Sequence, residues 1–366
     1  MTSFSIDSRM VGDGYPCFII AEVGVNHNNN LETAKKMIDA AAKAGVDAVK
    51  FQLLTADGLY IKDAGSVVTD TGMNVDAYKI WKDVEMPISW IPELREYCNK
   101  RKVIFFSSVF EDKGIDELQP YVDVYKIASS ELTHIPLLTK AARTGKPVIV
   151  SVGAGIMNEV DEAVKTVKNA GGSISLLYCV QKYPTPLEMA NVTAVQTLKK
   201  RFPDVVIGYS DHSLQPDPAI VPVAAVAYGA RIIEKHFTLS RQMEGIDQKM
   251  SMEPNEFRDM VTRIREAERK LSAGEKIHID DAVRGNGILE KTQANEKVRA
   301  FVHRSIFAST AIKKGETFTQ QNLLVVRPGN RDVKEGLHPR DYFSILGKKA
   351  TCNIQEKAII KKGYFT

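Results

Sequence analysis

The chain has 366 residues, of which 44% are hydrophobic and 26% charged, the balance of a well-cored protein and not of a disordered one. Its 49 basic and 45 acidic residues are interspersed, so the net charge of +4 comes with no basic tract for nucleic acid; a mild positive bias suits a small anionic substrate without showing one. Four scattered cysteines with no Cys-x-x-Cys argue against a disulfide scaffold or zinc ribbon and suit a reducing, cytoplasmic setting.

Taken in chain order, short β-branched runs recur at Cys17–Ala21, Val46–Lys50, Val103–Phe106, Val122–Ile127, Pro147–Val150, Ile174–Tyr178, Val205–Gly208 and Ala230–Glu234. Helical spacing fills several of the gaps. Leu31–Ala44 puts Ala34, Met37, Ile38 and Ala41 on one face, and Asn158–Ala170 repeats the pattern before Gly171-Gly172 stops it. Pro254–Leu271 reads as a last helix, with Pro at its start and Gly274 beyond its end. No basic-then-apolar leader opens the chain. The longest apolar run, around Pro218–Ala230, falls short of the ~20 residues of a membrane span.

About eight strand-then-helix units in ~270 residues is the count of a (β/α)8 TIM barrel, an α/β fold. The rival, a doubly wound sheet, would carry a Gly-rich dinucleotide turn, and Glu22-Val-Gly-Val-Asn-His27 lacks its second and third glycines. After Gly274 the texture turns polar, then short-stranded and basic. The expected division is a barrel over 1–275, a linker over 276–300 and a small β-rich domain over 301–366. Ala311–Thr319 is echoed loosely by Cys352–Ile360, too weakly to be a repeat.

Catalysis in such a barrel sits at the C-terminal strand ends. There stand Glu22, Lys50 with Gln52, Ser107 with Ser108, Lys126 with Ser129 and Glu131, Gln181 with Tyr183, Ser210 with Asp211 and His212, and Glu234 with His236. A ring of polar residues on nearly every strand is informative jointly and weak singly. His212 and His236 end neighbouring strands and fall within reach of one divalent ion, or are two unrelated hydrogen-bonded histidines. The other five histidines, His27 and His134 among them, read as surface or loop residues. Lys50 and Lys126 need anionic partners: a substrate phosphate or carboxylate, or salt bridges to Glu22 or Glu131. A third reading is a Schiff-base lysine. Lys235 faces away if Glu234 and His236 face in. Cys179, with no histidine base beside it, reads as packing.

Glu22–His27, Lys50-Phe-Gln52, Tyr125–Glu131, Tyr183-Pro-Thr-Pro186, Ile207–Ser213 and Glu234–Thr238 resemble the sialic acid synthase family. Val326-Arg-Pro-Gly329 and Gly347–Ala350 resemble its antifreeze-like (SAF, β-clip) domain. The loop around Gln181 and Gly336–Pro339 resemble most the branch serving spore-coat polysaccharide and other nonulosonic acids. The resemblance covers essentially the whole chain. It implies condensation of phosphoenolpyruvate with an N-acylated hexose and water, giving a nine-carbon 2-keto acid and phosphate. It implies His212 and His236 as ligands of manganese or magnesium. Lys50, Ser129, Ser210 and Gln181 would hold the phosphate, and Lys126 and Ser108 the carboxylate. Glu22, Gln52, Tyr183 and Asp247 would contact the sugar, and Glu131 would relay a proton. Arg327 would reach from the small domain of the partner subunit to the sugar's N-acyl group, in a domain-swapped homodimer.

Three departures border that site: Gln181 for the usual Asn or Ser, Ser107-Ser-Val-Phe110 for Ser-Thr-Pro-Phe, and Gly245-Ile-Asp247 for Gly-Pro-Asp. They leave the reaction class intact and the sugar open, between N-acetylmannosamine and 6-deoxy diacetamido analogues. The competing function is a Schiff-base nonulosonic acid lyase. A metal hydrolase lacks its second ligand cluster, and a carbohydrate-binding protein would not need charge at nearly every strand end.

Overall fold

In a computed structural model of the chain, residues 2–68, 74–214, 216–289, 296, 299, 301–331 and 333–366 are described. An antiparallel hairpin, Ser3–Ile6 with Arg9–Gly12, comes first. Its Arg9 reaches Asp47, the residue just before the second barrel strand, at the N-terminal end of the barrel.

Eight parallel strands then close into a barrel: β1 (Phe18–Gly24), β2 (Ala48–Leu53), β3 (Ile104–Val109), β4 (Tyr125–Ile127), β5 (Val148–Ser151), β6 (Ile174–Tyr178), β7 (Val206–Asp211) and β8 (Ile232–His236). They pair in chain order, and β8 returns to β1 with Ile232 opposite Phe18 and His236 opposite Glu22. The helices that follow them in turn are α1 (Leu31–Ala44), α2 (Ile91–Arg101), α3 (Asp112–Leu118), α4 (Ile135–Arg143), α5 (Met157–Asn169), α6 (Ala194–Arg201), α7 (Ile220–Ala227) and α8 (Pro254–Ser272). No helix among the described residues is long and apolar enough to cross a membrane.

Each strand is covered on both sides, which is why it reads as an apolar run and not as an alternation. Phe18, Ile19, Ile20 and Ala21 are all buried, and each large aliphatic among them contributes about 1.5–3 kcal/mol. Helix α1 lays Ala34, Met37, Ile38 and Ala41 on the strands. Asn30 caps its start by accepting from the Thr33 amide, and Gly45 ends it at φ 86°, where a side chain would be strained. The expected strands all form, but several run further than the apolar runs suggested. Strand β1 continues through Glu22, β2 through Gln52, β7 through Asp211 and β8 through His236. Those polar ends are the barrel's mouth.

Beyond α8 a short turn, Asp281–Val283, leads to Gly287, whose amide donates to Asn191. Arg299 then grips the same barrel with two bonds to Glu159, at 2.7 and 2.8 Å. The small domain pairs β9 (Ser305–Ala308) antiparallel with β10 (Leu323–Val326) over a core including Ile312, Phe318, Leu337 and Ile354. The two echoing segments meet each other: Ile312 and Ile354 exchange both backbone bonds at 2.8 Å. A separate apolar cluster joins the two bodies, with Leu59, Tyr60, Ile61 and Phe110 of the barrel against Phe307 and Val326. The small domain therefore sits on the barrel's mouth, and the Arg327 amide donates to Leu59 O at 2.8 Å.

Candidate active site

The mouth gathers the polar strand ends into one buried network. Lys50, from β2, lies 2.5 Å from Glu22 Oε2 on β1, donates to Ser108 Oγ on β3 at 2.9 Å, and stands 3.7 Å from Glu234 Oε2 on β8. Lys126, from β4, donates to Ser151 Oγ at 2.8 Å and lies 3.5 Å from Glu234 Oε1. Ser210 donates to that same oxygen at 2.8 Å, and Gln52 donates to Glu22 Oε1 at 2.9 Å. Both lysines are 2% exposed, and burying a charge is costly unless it is paired and hydrogen-bonded, as both are here.

The two carboxyls differ in environment. Burial alone would raise the pKa of Glu234, but Lys126 and Lys50 pull it down to about 2. Burial dominates at Glu22 and lifts it to about 7, with Lys50 opposing and Glu234 reinforcing the rise. Burial also lowers the pKa of Lys126, against the pull of Glu234. Of the two carboxyls, only Glu22 can gain or lose a proton near neutrality.

Next to this network lies the histidine pair. His212 and His236 have ring centroids 5.6 Å apart, and Tyr183 packs on His212 at 4.2 Å. His212 Nδ1 is 2.9 Å from the Val180 carbonyl, so the proton sits on Nδ1 and the Nε2 lone pair is free. Burial lowers His212 to about 4, and burial plus its neighbour hold His236 well below the ordinary value. Both are neutral imidazoles, the form that binds a divalent ion. His236 Nδ1 is buried without a hydrogen-bond partner, 3.7 Å from Asp247, whose own pKa burial raises to about 6. Among the described residues no cluster of three or more His, Cys, Asp or Glu is arranged around an ion. The donor set thus fits an ion held by two imidazoles, with its other positions left to oxygen atoms from outside the chain.

The loop that carries His212 is set from behind. Asp211 points outward, accepts from the Ser213 amide and hydroxyl at 2.9 Å each, and pairs with Lys235. Lys235 does face away from the mouth, as the alternation predicted. The Thr185 amide donates to His212 O at 2.9 Å and ties the Tyr183–Pro186 turn to the same loop. Gln181 donates to Ser129, and Tyr183 reaches Gln181 Oε1 at 3.4 Å.

Glu131 lies apart from the lysines. Its oxygens are taken by Arg304 and by Arg327, the latter at 2.6 Å, and Arg327 also donates to Ser130 Oγ at 2.9 Å. Burial would raise the pKa of Glu131, but the two guanidiniums hold it well below the carboxylate range. With both oxygens engaged by guanidiniums, it is held as an anion in this structure.

Two other histidines lie in loops, as expected, but not at the surface. His27 is wholly buried against Phe51 and Trp90 and is not a surface residue; burial lowers it to about 4. His134 is also buried, 3.7 Å from Glu131. Within one chain, Arg327 meets Glu131. Cys179 is buried as expected, accepts from the Gly153 amide at 3.2 Å and has its pKa raised by burial. Sequence reasoning placed Glu234 in the ring of strand ends but assigned it no role. It overlooked Ser151, Tyr60 and Arg304. Alternation with His236 on β8 was the signal for Glu234; nothing local marks Arg304.

A capped barrel with two lysines and two neutral imidazoles at its mouth is the setting in which the comparisons fall. Residues 37–276 match the NeuB family, and residues 303–363 match the SAF domain. The chain belongs to the NeuB family. It is similar to the spore coat polysaccharide biosynthesis protein SpsE of Bacillus subtilis, 40% identical over 348 residues, 94% of this chain and 92% of that protein. The crystal structure of that protein matches with a TM-score of 0.87 and covers 98% of both chains. Two synthases of Campylobacter jejuni are also similar. N,N'-diacetyllegionaminic acid synthase is 35% identical over 94% of this chain and 98% of its own length. Pseudaminic acid synthase is 37% identical over 95% and 96%.

Proposed function

We propose that this chain is a nonulosonic acid synthase that condenses phosphoenolpyruvate with an N-acylated hexose and water, releasing phosphate. The observation that supports it most is the convergence of Lys50 and Lys126 on one buried carboxylate, Glu234, beside two neutral imidazoles. Two ammonium groups at ~4 Å or less from one another's counter-ion suit a ligand carrying both phosphate and carboxylate. Ser108, Ser129, Ser151, Ser210 and Gln181 surround them with hydroxyl and amide donors for its oxygens. Binding that anion brings negative charge to Lys50 and favours the protonated form of Glu22. Glu22 then holds a proton beside Lys50 and Gln52, available to the sugar's oxygen as the enol carbon attacks the aldehyde. Tyr183 and Asp247 line the side toward the sugar. A divalent ion, manganese or magnesium, held by His212 and His236 would act as a Lewis acid on the aldehyde.

The names of the relatives divide between two products at 35% and 37% identity, so identity does not select the sugar. The family resemblance also supports a homodimer in which small domains are exchanged, since the docking contacts would be the same made between chains. A cytoplasmic setting agrees with the free cysteines.

The deciding experiment incubates the protein with phosphoenolpyruvate, manganese and a panel of N-acylated hexoses, with products identified by mass spectrometry and NMR. A nine-carbon 2-keto acid formed with stoichiometric phosphate is expected. Phosphate release that needs no sugar, or a product formed without phosphoenolpyruvate, would overturn the reading. For the ion, His236→Ala should abolish Mn2+ binding by calorimetry and lower turnover by orders of magnitude. Undiminished Mn2+ binding would remove the imidazole pair from that role.

A further inference from the structure

The small domain reaches the barrel through a residue with no part in the reading above. Arg304 immediately precedes β9 and is 3% exposed. Its Nε donates to Glu131 Oε2. Its Nη1 donates to Gly58 O at 2.6 Å and to Val325 O at 2.8 Å, and its Nη2 to Phe110 O at 2.8 Å. Gly58 follows β2, Phe110 follows β3, Glu131 follows β4, and Val325 lies on β10. One planar cation therefore bonds three consecutive barrel loops and the second strand of the small domain. A guanidinium has five N–H donors in a fixed fork, and four bonds of that fork are accounted for here.

Arg327 is engaged differently. It takes the other oxygen of Glu131, and its Nε is buried without a hydrogen-bond partner among the described residues. A single carboxylate thus carries two guanidiniums, one nearly saturated with backbone acceptors and one with a donor in reserve. The Arg327 guanidinium also lies over the Tyr60 ring, 5.5 Å from its centroid, and a buried donor left without an acceptor is costly.

We propose that Arg304 is a positioning residue: it fastens the small domain to the barrel and fixes Glu131, so that Arg327 is held over the mouth with its free donor ready for the sugar substrate. This rests on the synthase reading for the identity of that substrate, but not for the docking itself. Lysine cannot replace it, because one ammonium with three donors cannot span four acceptors on four segments.

The test compares wild type with Arg304→Lys and Arg304→Met by two readouts. The first is hydrogen exchange at the Arg327 and Ile61 amides, which form two of the backbone bonds between the two bodies, at 2.8 and 3.2 Å. Exchange there should quicken at least tenfold in Arg304→Lys, while barrel amides such as Val49 and Ile149 stay protected. The second is steady-state kinetics. The KM for the sugar should rise at least tenfold, with the KM for phosphoenolpyruvate within threefold of wild type. Wild-type exchange together with a wild-type sugar KM in Arg304→Lys would overturn the proposal. A fall in kcat with both KM values unchanged would also overturn it, because that marks only a loss of folded enzyme. If Arg304→Met fails to fold, the lysine variant still decides. If wild type makes no product with any sugar, the synthase reading fails, and exchange alone judges the docking role.

Discussion

Lys126 separates the two chemistries that a pair of mouth lysines permits. Its ammonium donates to Ser151 and lies 3.5 Å from Glu234 Oε1, fully buried. Lys126→Met keeps the length and removes the charge. Glu234 retains Lys50 at 3.7 Å and the Ser210 hydroxyl, so the fold should survive. What is lost is one charged, hydrogen-bonded contact to a substrate anion. Truncating one side of such a buried pair costs about 2–5 kcal/mol. At 1.36 kcal/mol per tenfold, kcat/KM for phosphoenolpyruvate should fall about 30- to 5,000-fold. Lys126→Arg keeps the charge and the hydrogen-bonding capacity but has no primary amine, so it should retain more activity than the methionine variant. The assay is sugar-dependent phosphate release, with borohydride treatment of wild type plus pyruvate in parallel. A methionine variant within threefold of wild type would refute the electrostatic role. Equal inactivity of both variants, with pyruvate trapped on Lys126, would refute condensation in favour of a Schiff-base lyase.

Two other outcomes follow from the same geometry. The raised pKa of Glu22 means the folded state holds its proton longer than the unfolded chain, so its contribution is full below about 4.5 and is lost as pH rises through about 7. Glu22→Gln, which cannot titrate, should gain stability relative to wild type across that window, read by urea unfolding at several pH values. A difference that is flat with pH, or of opposite sign, would show that Glu22 is not raised. Mixing Arg327→Ala with Lys126→Met should restore about a quarter of wild-type activity if small domains are exchanged in a dimer, since half the dimers are hybrids with one intact site. Continued inactivity, with subunit exchange verified by mass, would leave the docking within one chain.

Much of this architecture was legible in the sequence because a parallel barrel strand is buried on both faces and so spells an unbroken apolar run. Phe18–Ala21 and Ile174–Tyr178 are of that kind. The same property concealed where strands end: Glu22 and Asp211 look like loop residues, yet both lie within strands, Asp211 as the last residue of its own. Charge alternation on β8 was readable, and it put Lys235 outside correctly. The histidines misled because a buried imidazole and an exposed one are the same letter. His27 lies between Phe51 and Trp90, residues distant in sequence that no local pattern connects to it. Arg304 escaped for a related reason: all but one of its partners are backbone carbonyls, and a carbonyl leaves no mark on residue type. Glu131 was found, but its guanidinium partners arrive from about 170 to 200 residues away, so its protonation behaviour could not be read locally.

The Asp211–Lys235 pair has a meaning beyond the support of one loop. Asp211 and Lys235 are directly opposite one another across β7 and β8, as are Ser210 and Glu234. Sliding β8 by a single residue would turn Glu234 and His236 to the outside and bring Lys235 into the mouth. Such a slip would exchange a carboxylate and an imidazole for a third ammonium, while leaving the aliphatic residues of the strand almost as well buried as before. Hydrophobic burial therefore discriminates weakly between the two pairings, and the outward ion pair discriminates strongly, because only the native alignment gives Lys235 its carboxylate. The charge on the back of the sheet is what tells the chain which way round to write its own active site.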